Sequence, residues 1–171
     1  MFKKTSKKKS SRGGNERKTW IKKLDTVFSL YIRMRDSRMF GYRSFRCISC
    51  GDVKPFDMMD CGHYISRNNF LLRWNELNAH GECAACNRFI GSHLVGYREN
   101  LIIKLGEDAI RDNAFANSLE PKKRLELIKR KGEERVKEIE AQRHESKKWS
   151  VEELKEEYMY YAALVLKMKN E

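Results

Sequence analysis

Two CxxC pairs, Cys47-Ile-Ser-Cys50 and Cys83-Ala-Ala-Cys86, constrain this chain more than any other feature of it. Each pair can fold into a tight knuckle that offers two thiolates, and four thiolates from two knuckles make a tetrahedral zinc site. Gly51, directly after the first pair, suits the sharp turn a knuckle needs. A zinc clip here closes a long loop that carries Asp60-Cys-Gly-His63, Asn78 and, just past the second pair, Asn87. The fifth cysteine, Cys61, fits the spacing of neither pair and reads as a buried thiol. An odd cysteine count with four in CxxC pairs points to zinc in a reducing compartment rather than to disulfides.

The rest of the chain is consistent with a small metal-stapled core. With 171 residues, 35% of them charged, and a mean hydropathy of -0.75, there is too little apolar sequence for a large core. No apolar run approaches a membrane span, and the Lys-rich start lacks the apolar stretch of a secretory signal. Ten Lys/Arg against one acid fall within the first 23 residues, so most of the +12 net charge sits on one arm. Such an arm, with Lys7, Lys8 and Lys9 at its centre, is either a solvated tail or a grip on a polyanion, for which nucleic acid is the expected partner.

The chain divides into a basic, disordered arm (1–18), an N-terminal helix (19–40), a zinc-stapled core (41–100) and a C-terminal helical region (101–171). Trp20, Leu24, Val27, Phe28, Tyr31 and Ile32 recur at helical spacing, with Thr19 as the cap. Short extended signals over 42–60 predict a β-hairpin carrying the first cysteine pair. Helix is expected after Cys86, restarting near Gly91 or Gly96, and again over Asp108–Phe115. Leu125, Ile128, Val136 and Ile139 form a further stripe, with Gly132 its weak point. Ser150-x-x-Glu153 is a capping box for a final helix. The stripe of that helix (Leu154, Tyr158, Tyr161, Val165, Met168) either packs on the core or forms a dimer seam.

The central loop holds the chemistry. An Asp carboxylate and an Asn carbonyl, Asp60 and Asn87, are hard oxygen ligands for Mg²⁺ or Mn²⁺. A neutral His63 beside that ion can take a proton from water attacking phosphorus. Asn78 could hold the other imidazole nitrogen through its side-chain carbonyl and fix the tautomer. His93 is a candidate third ligand, and His80 is assigned a structural role. Arg67, Arg73 and Arg88 lie within the same stretch and are expected on the phosphate backbone, where the planar guanidinium binds bidentately.

At these residues the sequence resembles a known family. Asp60-x-x-His63, Asn78 and Cys83-x-x-Cys86-Asn87 look like the ββα-metal (HNH) nuclease signature with Asn in its third position. The flanking knuckles are similar to those of the phage endonuclease VII subgroup. The longer wording, Asp60 to Arg67 and Asn78 to Arg88 through Gly91 to Tyr97, resembles more closely the lambdoid phage NinG/Rap recombination proteins, over roughly residues 45–100. The resemblance implies an α+β fold with a small zinc-stapled ββα-metal core and flanking helices. It also implies a structure-specific endonuclease that nicks branched DNA, D-loops and Holliday junctions, in the cytoplasm of a bacterial host. By that likeness His63 is the general base, Asn78 orients it, Asp60 and Asn87 bind Mg or Mn, and the four cysteines hold structural zinc. Branched DNA, a second copy of the chain and phage or host recombination proteins are the implied partners. Cys61 stands where endonuclease VII has a second His, so the contacts of that position do not carry over. A zinc-containing DNA-binding accessory module without catalysis is the competing expectation. A sequence-specific homing or restriction nuclease is weaker, because no base-reading module is visible.

Overall fold

The computed structural model describes residues 12–170, so Lys7, Lys8 and Lys9 lie outside the described residues. Ten helices and strands follow in order: α1 (Arg12–Ser37), β1 (Ser44–Arg46), β2 (Val53–Pro55), β3 (Met59–His63), β4 (Ala79–Cys83), α2 (Ala84–Phe89), α3 (His93–Ile110), α4 (Ala114–Ser118), α5 (Pro121–Ala141) and α6 (Val151–Lys169). The result is mixed α+β, rich in helix, with two small antiparallel sheets. One pairs β1 with β2 and the other pairs β3 with β4.

Helix α1 begins well before the expected Thr19 cap. Thr19 lies inside the helix, its hydroxyl donating to the Asn15 carbonyl at 2.9 Å. Tertiary contacts support the basic extension: Arg17 donates to the Trp149 carbonyl at 3.2 Å and lies over the Phe70 ring, and Lys155 pairs with Glu16. The helix stops at Ser37, whose hydroxyl caps the Arg33 carbonyl, and the chain then turns through left-handed Gly41 and Tyr42.

Apolar burial is divided. Leu24, Phe28, Tyr31 and Ile32 of α1 pack with Trp74 and with Leu154, Tyr161 and Val165 of α6. The α6 stripe is therefore consumed within the chain, which is the packing alternative rather than the dimer seam. The capping box at its start is formed: Ser150 Oγ accepts from Glu153 N, and Glu153 accepts from Ser150 N. On the other side α3 and α5 pack Leu101, Ile102 and Leu105 against Val136 and Ile139, with Tyr64, Ile65 and Leu72 beneath them. Gly132 is the crossing point of these helices rather than a weak point. A Cβ there would lie 1.8 Å from the Ile102 carbonyl oxygen, and one at Gly106 would lie 2.0 Å from that of Ile128. The helix expected over Asp108–Phe115 is instead the end of α3, a turn at Arg111–Asn113, and the short α4 capped by Asn113. The boundary expected at residue 100 falls inside α3.

A polar network fixes β4 to α1. Asp36 Oδ2 accepts from Gly81 N at 2.7 Å and Oδ1 from Lys104 at 2.7 Å. Arg35 donates to the carbonyls of Glu76 and Ala79 and to His80 Nδ1. Burial alone would raise the Asp36 carboxyl, but Arg35 and Lys104 hold it well below the ordinary carboxylate range. His80 Nε2 faces the Leu77 carbonyl, which can only accept, so its Nδ1 carries the lone pair that Arg35 meets. Burial depresses this imidazole from 6.5 to about 4.

That depression sets a pH dependence. Between pH 6.5 and about 4 the unfolded chain takes up a proton that native His80 refuses, so stability present above pH 6.5 is lost as pH falls. The loss is on the order of 3 kcal/mol at 1.36 kcal/mol per pKa unit. Urea unfolding at pH 7 and pH 4.5 measures it, and His80→Gln should show a shallower decline. An equal slope in both proteins would assign the acid lability elsewhere.

Candidate metal centre and nuclease site

The first cysteine pair sits in the turn between β1 and β2. Gly51, at φ +75°, donates to the Cys47 carbonyl at 2.9 Å, and Cys47 N donates to the Asp52 carbonyl. The second pair straddles the β4–α2 junction: Cys83 ends the strand and Cys86 lies on the helix. The ligand atoms of Cys47, Cys50, Cys83 and Cys86 lie within 4.8 Å of one another, and Cys83 N donates to Cys47 Sγ at 3.3 Å. Four convergent thiols with a backbone N–H on one sulfur fit a structural zinc ion. Among the described residues, the apolar cluster around them adds Phe45, Met59 and half-buried Phe56, so little apolar burial would hold this corner without a metal.

Strands β3 and β4 run antiparallel from Met59↔Cys83 to His63↔Ala79, and α2 follows directly. Asp60, on β3, accepts from Asn87 Nδ2 at 3.0 Å and from both arms of Arg88 at 2.7 and 2.6 Å. Burial opposes ionisation of Asp60, but Arg88 and Asn87 keep its carboxyl below the ordinary range. Arg88, expected on DNA, thus grips the candidate metal carboxylate.

His63 leaves the strand on the other side, as the two-residue alternation of a strand requires for positions 60 and 63. Its ring lies 6.3 Å from that of Phe28 on α1, and its Nε2 is 2.9 Å from the Arg73 carbonyl. A carbonyl only accepts, so Nε2 bears the proton and Nδ1 is left as the acceptor. Burial lowers the pKa of this imidazole, so it is neutral at pH 7. The orienting contact comes from Arg73 and not, as expected, from Asn78. Asn78 is fully buried and braces the loop: its Oδ1 accepts from Ile65 N, and its Nδ2 donates to the Ile65 and Leu72 carbonyls. It thereby fixes the strand end and the turn that delivers the Arg73 carbonyl.

Arg73 is itself tied down, which corrects its expected place on the phosphate backbone. Both arms bind Asp25 of α1, at 2.8 and 2.7 Å, and its guanidinium lies over Phe70 and Trp74. Arg67 is exposed beside His63, and Arg88 is exposed as well but engaged by Asp60.

Asp60 and His63 do not touch. Asn87 joins them: it donates to Asp60, and with His63, Cys61, Arg67 and His93 it lines a cavity of about 430 Å³. Burial pushes the Cys61 thiol up to about 12, away from nucleophilic use. Sequence reasoning missed Glu82, a fully buried carboxylate on β4 opposite Asp60 that contacts Ser49 and His93. Its one visible signal is a charge within the Ala79–Cys83 run.

A model of the family described as Bacteriophage Lambda NinG protein matches residues 2–123. Among curated proteins, the chain is 37% identical over 95 residues to Protein ninG of Escherichia phage lambda, covering 55% of this chain and 43% of that protein. It is 36% identical over 95 residues to Protein ninG of Escherichia phage 933W (55% and 44%) and 36% identical over the same length to that of Salmonella phage P22 (55% and 43%). The matched region thus spans less than half the length of these relatives. No solved structure matches the chain significantly. Among the described residues no helix is long and apolar enough to cross a membrane.

Proposed function

We propose that this chain, which belongs to the bacteriophage NinG family, is a zinc-stapled endonuclease of ββα-metal type that nicks branched DNA during phage recombination. The observation that carries the reading is the placement of Asp60 and Asn87 in hydrogen-bond contact on β3 and α2, with Asn87 and a neutral, oriented His63 on one cavity.

Asp60 and Asn87 supply two oxygens suited to Mg²⁺ or Mn²⁺, and Arg88 must release Asp60 for both to serve. Such an ion, when bound, stabilises charge on the phosphorane and on the leaving oxygen. His63 Nδ1 accepts the proton of the attacking water, and the Arg73 carbonyl steadies the imidazolium by keeping Nε2–H engaged. Arg67, and Arg88 once displaced, bind phosphate oxygens. Contacts of this kind position a backbone without reading bases, which suits recognition by branch shape. A second copy, matching the two-fold symmetry of a four-way junction, belongs to the same reading.

The test is incubation with Mg²⁺ of a labelled four-way junction, a D-loop and a matched linear duplex, with wild type and Asp60→Ala. Cleavage of the branched substrates by wild type alone is expected. Junction binding without cleavage, in Mg²⁺ and in Mn²⁺, would leave a DNA-binding accessory module instead.

A further inference from the structure

Glu82 is the least expected residue in the molecule. It is the fourth residue of a five-residue strand with every position buried, and its own exposure is 0%. Its register partner is Asp60. Its Oε1 accepts from Ser49 Oγ, on the first zinc knuckle, and meets His93 Nδ1 at 2.6 Å. Its Oε2 has no hydrogen-bond partner among the described residues and lies over Gly62, where a Cβ would approach it to 2.2 Å. A carboxylate held this deep, beside a second carboxylate and with one oxygen unmet, has no account in packing.

His93 gives it one. It is the first residue of α3, and α3 is seated on the zinc knuckle: a Cβ at Gly96 would lie 2.3 Å from the Ser49 carbonyl, and Asn100 donates to the Ile48 carbonyl at 2.9 Å. With Nδ1–H given to Glu82, the lone pair of His93 is on Nε2, and the ring borders the cavity shared with Asn87 and His63. We propose that Glu82 is a positioning residue that presents His93 Nε2 as a third protein donor to a divalent cation held by Asp60 and Asn87. The donor set is then one carboxylate, one amide oxygen and one imidazole, with the zinc knuckle braced against it through Ser49.

The inference rests on the nuclease reading for the place of the cation, and it makes a demand of its own. An imidazole donor favours Mn²⁺, Co²⁺ or Ni²⁺ over Mg²⁺, which prefers oxygen. Carboxylates that orient a ligating imidazole change metal affinity by roughly 10- to 100-fold.

The experiment is a Mn²⁺ titration of the zinc-loaded full chain followed by electron paramagnetic resonance, for wild type, Glu82→Gln, His93→Ala and the double variant. Long-range ¹H–¹⁵N spectra report the His93 tautomer in parallel. Glu82→Gln and His93→Ala should each weaken Mn²⁺ binding about 10- to 100-fold. The double variant should be no weaker than His93→Ala alone, because Glu82 acts through that ring. Wild-type His93 should show the Nδ1–H tautomer, and Glu82→Gln should mix the two. Unchanged Mn²⁺ affinity in His93→Ala overturns the proposal. So does full additivity of the two substitutions, which would make Glu82 a packing residue. Tight Mn²⁺ binding with these couplings, in a protein that cuts no DNA, would refute the nuclease reading and leave the donor set standing.

Discussion

Replacing Cys83 by Ser should unfold the centre of the molecule rather than loosen one corner. Cys83 is at once the last residue of β4, the residue before α2 and a member of the four-thiol cluster, and its N–H is bonded to Cys47 Sγ. The hairpin it holds is three residues long on each side, and strands that short do not persist alone in water. Structural zinc contributes on the order of 10 kcal/mol or more in small sites, far more than the few apolar side chains here can replace. One zinc per chain by elemental analysis is expected for wild type and less than half of that for the variant. Hydrogen exchange over 44–63 and 79–96 should rise to unprotected rates, while the α1–α6 and α3–α5 pairs keep part of their far-UV helical signal. A Cys83→Ser protein that is zinc-replete and melts cooperatively would remove the metal from the fold.

His63→Ala should lower the rate of junction cleavage by about 10²- to 10⁴-fold, the usual contribution of a positioned general base. Binding of the junction and thermal stability should change little, since the ring sits at the end of β3 and its polar contact among the described residues is with the Arg73 carbonyl. The pH profile carries the sharper information. Burial lowers the pKa of His63 below 6.5, so the neutral, base-competent form persists into mildly acid solution. The acid limb of the rate should therefore have its inflection below pH 6.5. An inflection above 6.5, or a profile that His63→Ala leaves intact, would take the base role away from this residue.

The features legible in the sequence were those written in local spacing. Two CxxC pairs with Gly51 between knuckle and strand, the Ser150–Glu153 capping box, and the helical stripes of α1 and α6 each follow from residues a few positions apart, and the structure has all of them. What spacing could not supply was which partner waits across the fold. The stripe of α6 reads the same whether it meets α1 or a second copy, and α1 is what covers it. Asn78 and the Arg73 carbonyl both lie within reach of a β3 end in sequence terms. Only the path of the 64–78 loop decides that the carbonyl meets the imidazole while the amide braces the loop. The three arginines were read from the guanidinium's fit to phosphate and their place in the motif, yet Asp25 claims Arg73 and Asp60 claims Arg88. Glu82 was missed because its two contacts come from the zinc turn and from the first residue of α3, neither of which the spacing within its own strand specifies.

The enclosure of α1 by α6 has a consequence for the order of events during synthesis. Asp25, Arg35 and Asp36, which fasten the His63 loop and β4, are on a helix that leaves the ribosome well before α6, whereas closure of that helix's apolar face needs Leu154, Tyr161 and Val165 in addition to Trp74. The zinc turn and the β3–β4–α2 unit can assemble midway through translation, but their support stays half-exposed until α6 emerges. Vectorial synthesis thus acts as a timer: the nascent chain can load its metal early and acquires a rigid His63 late.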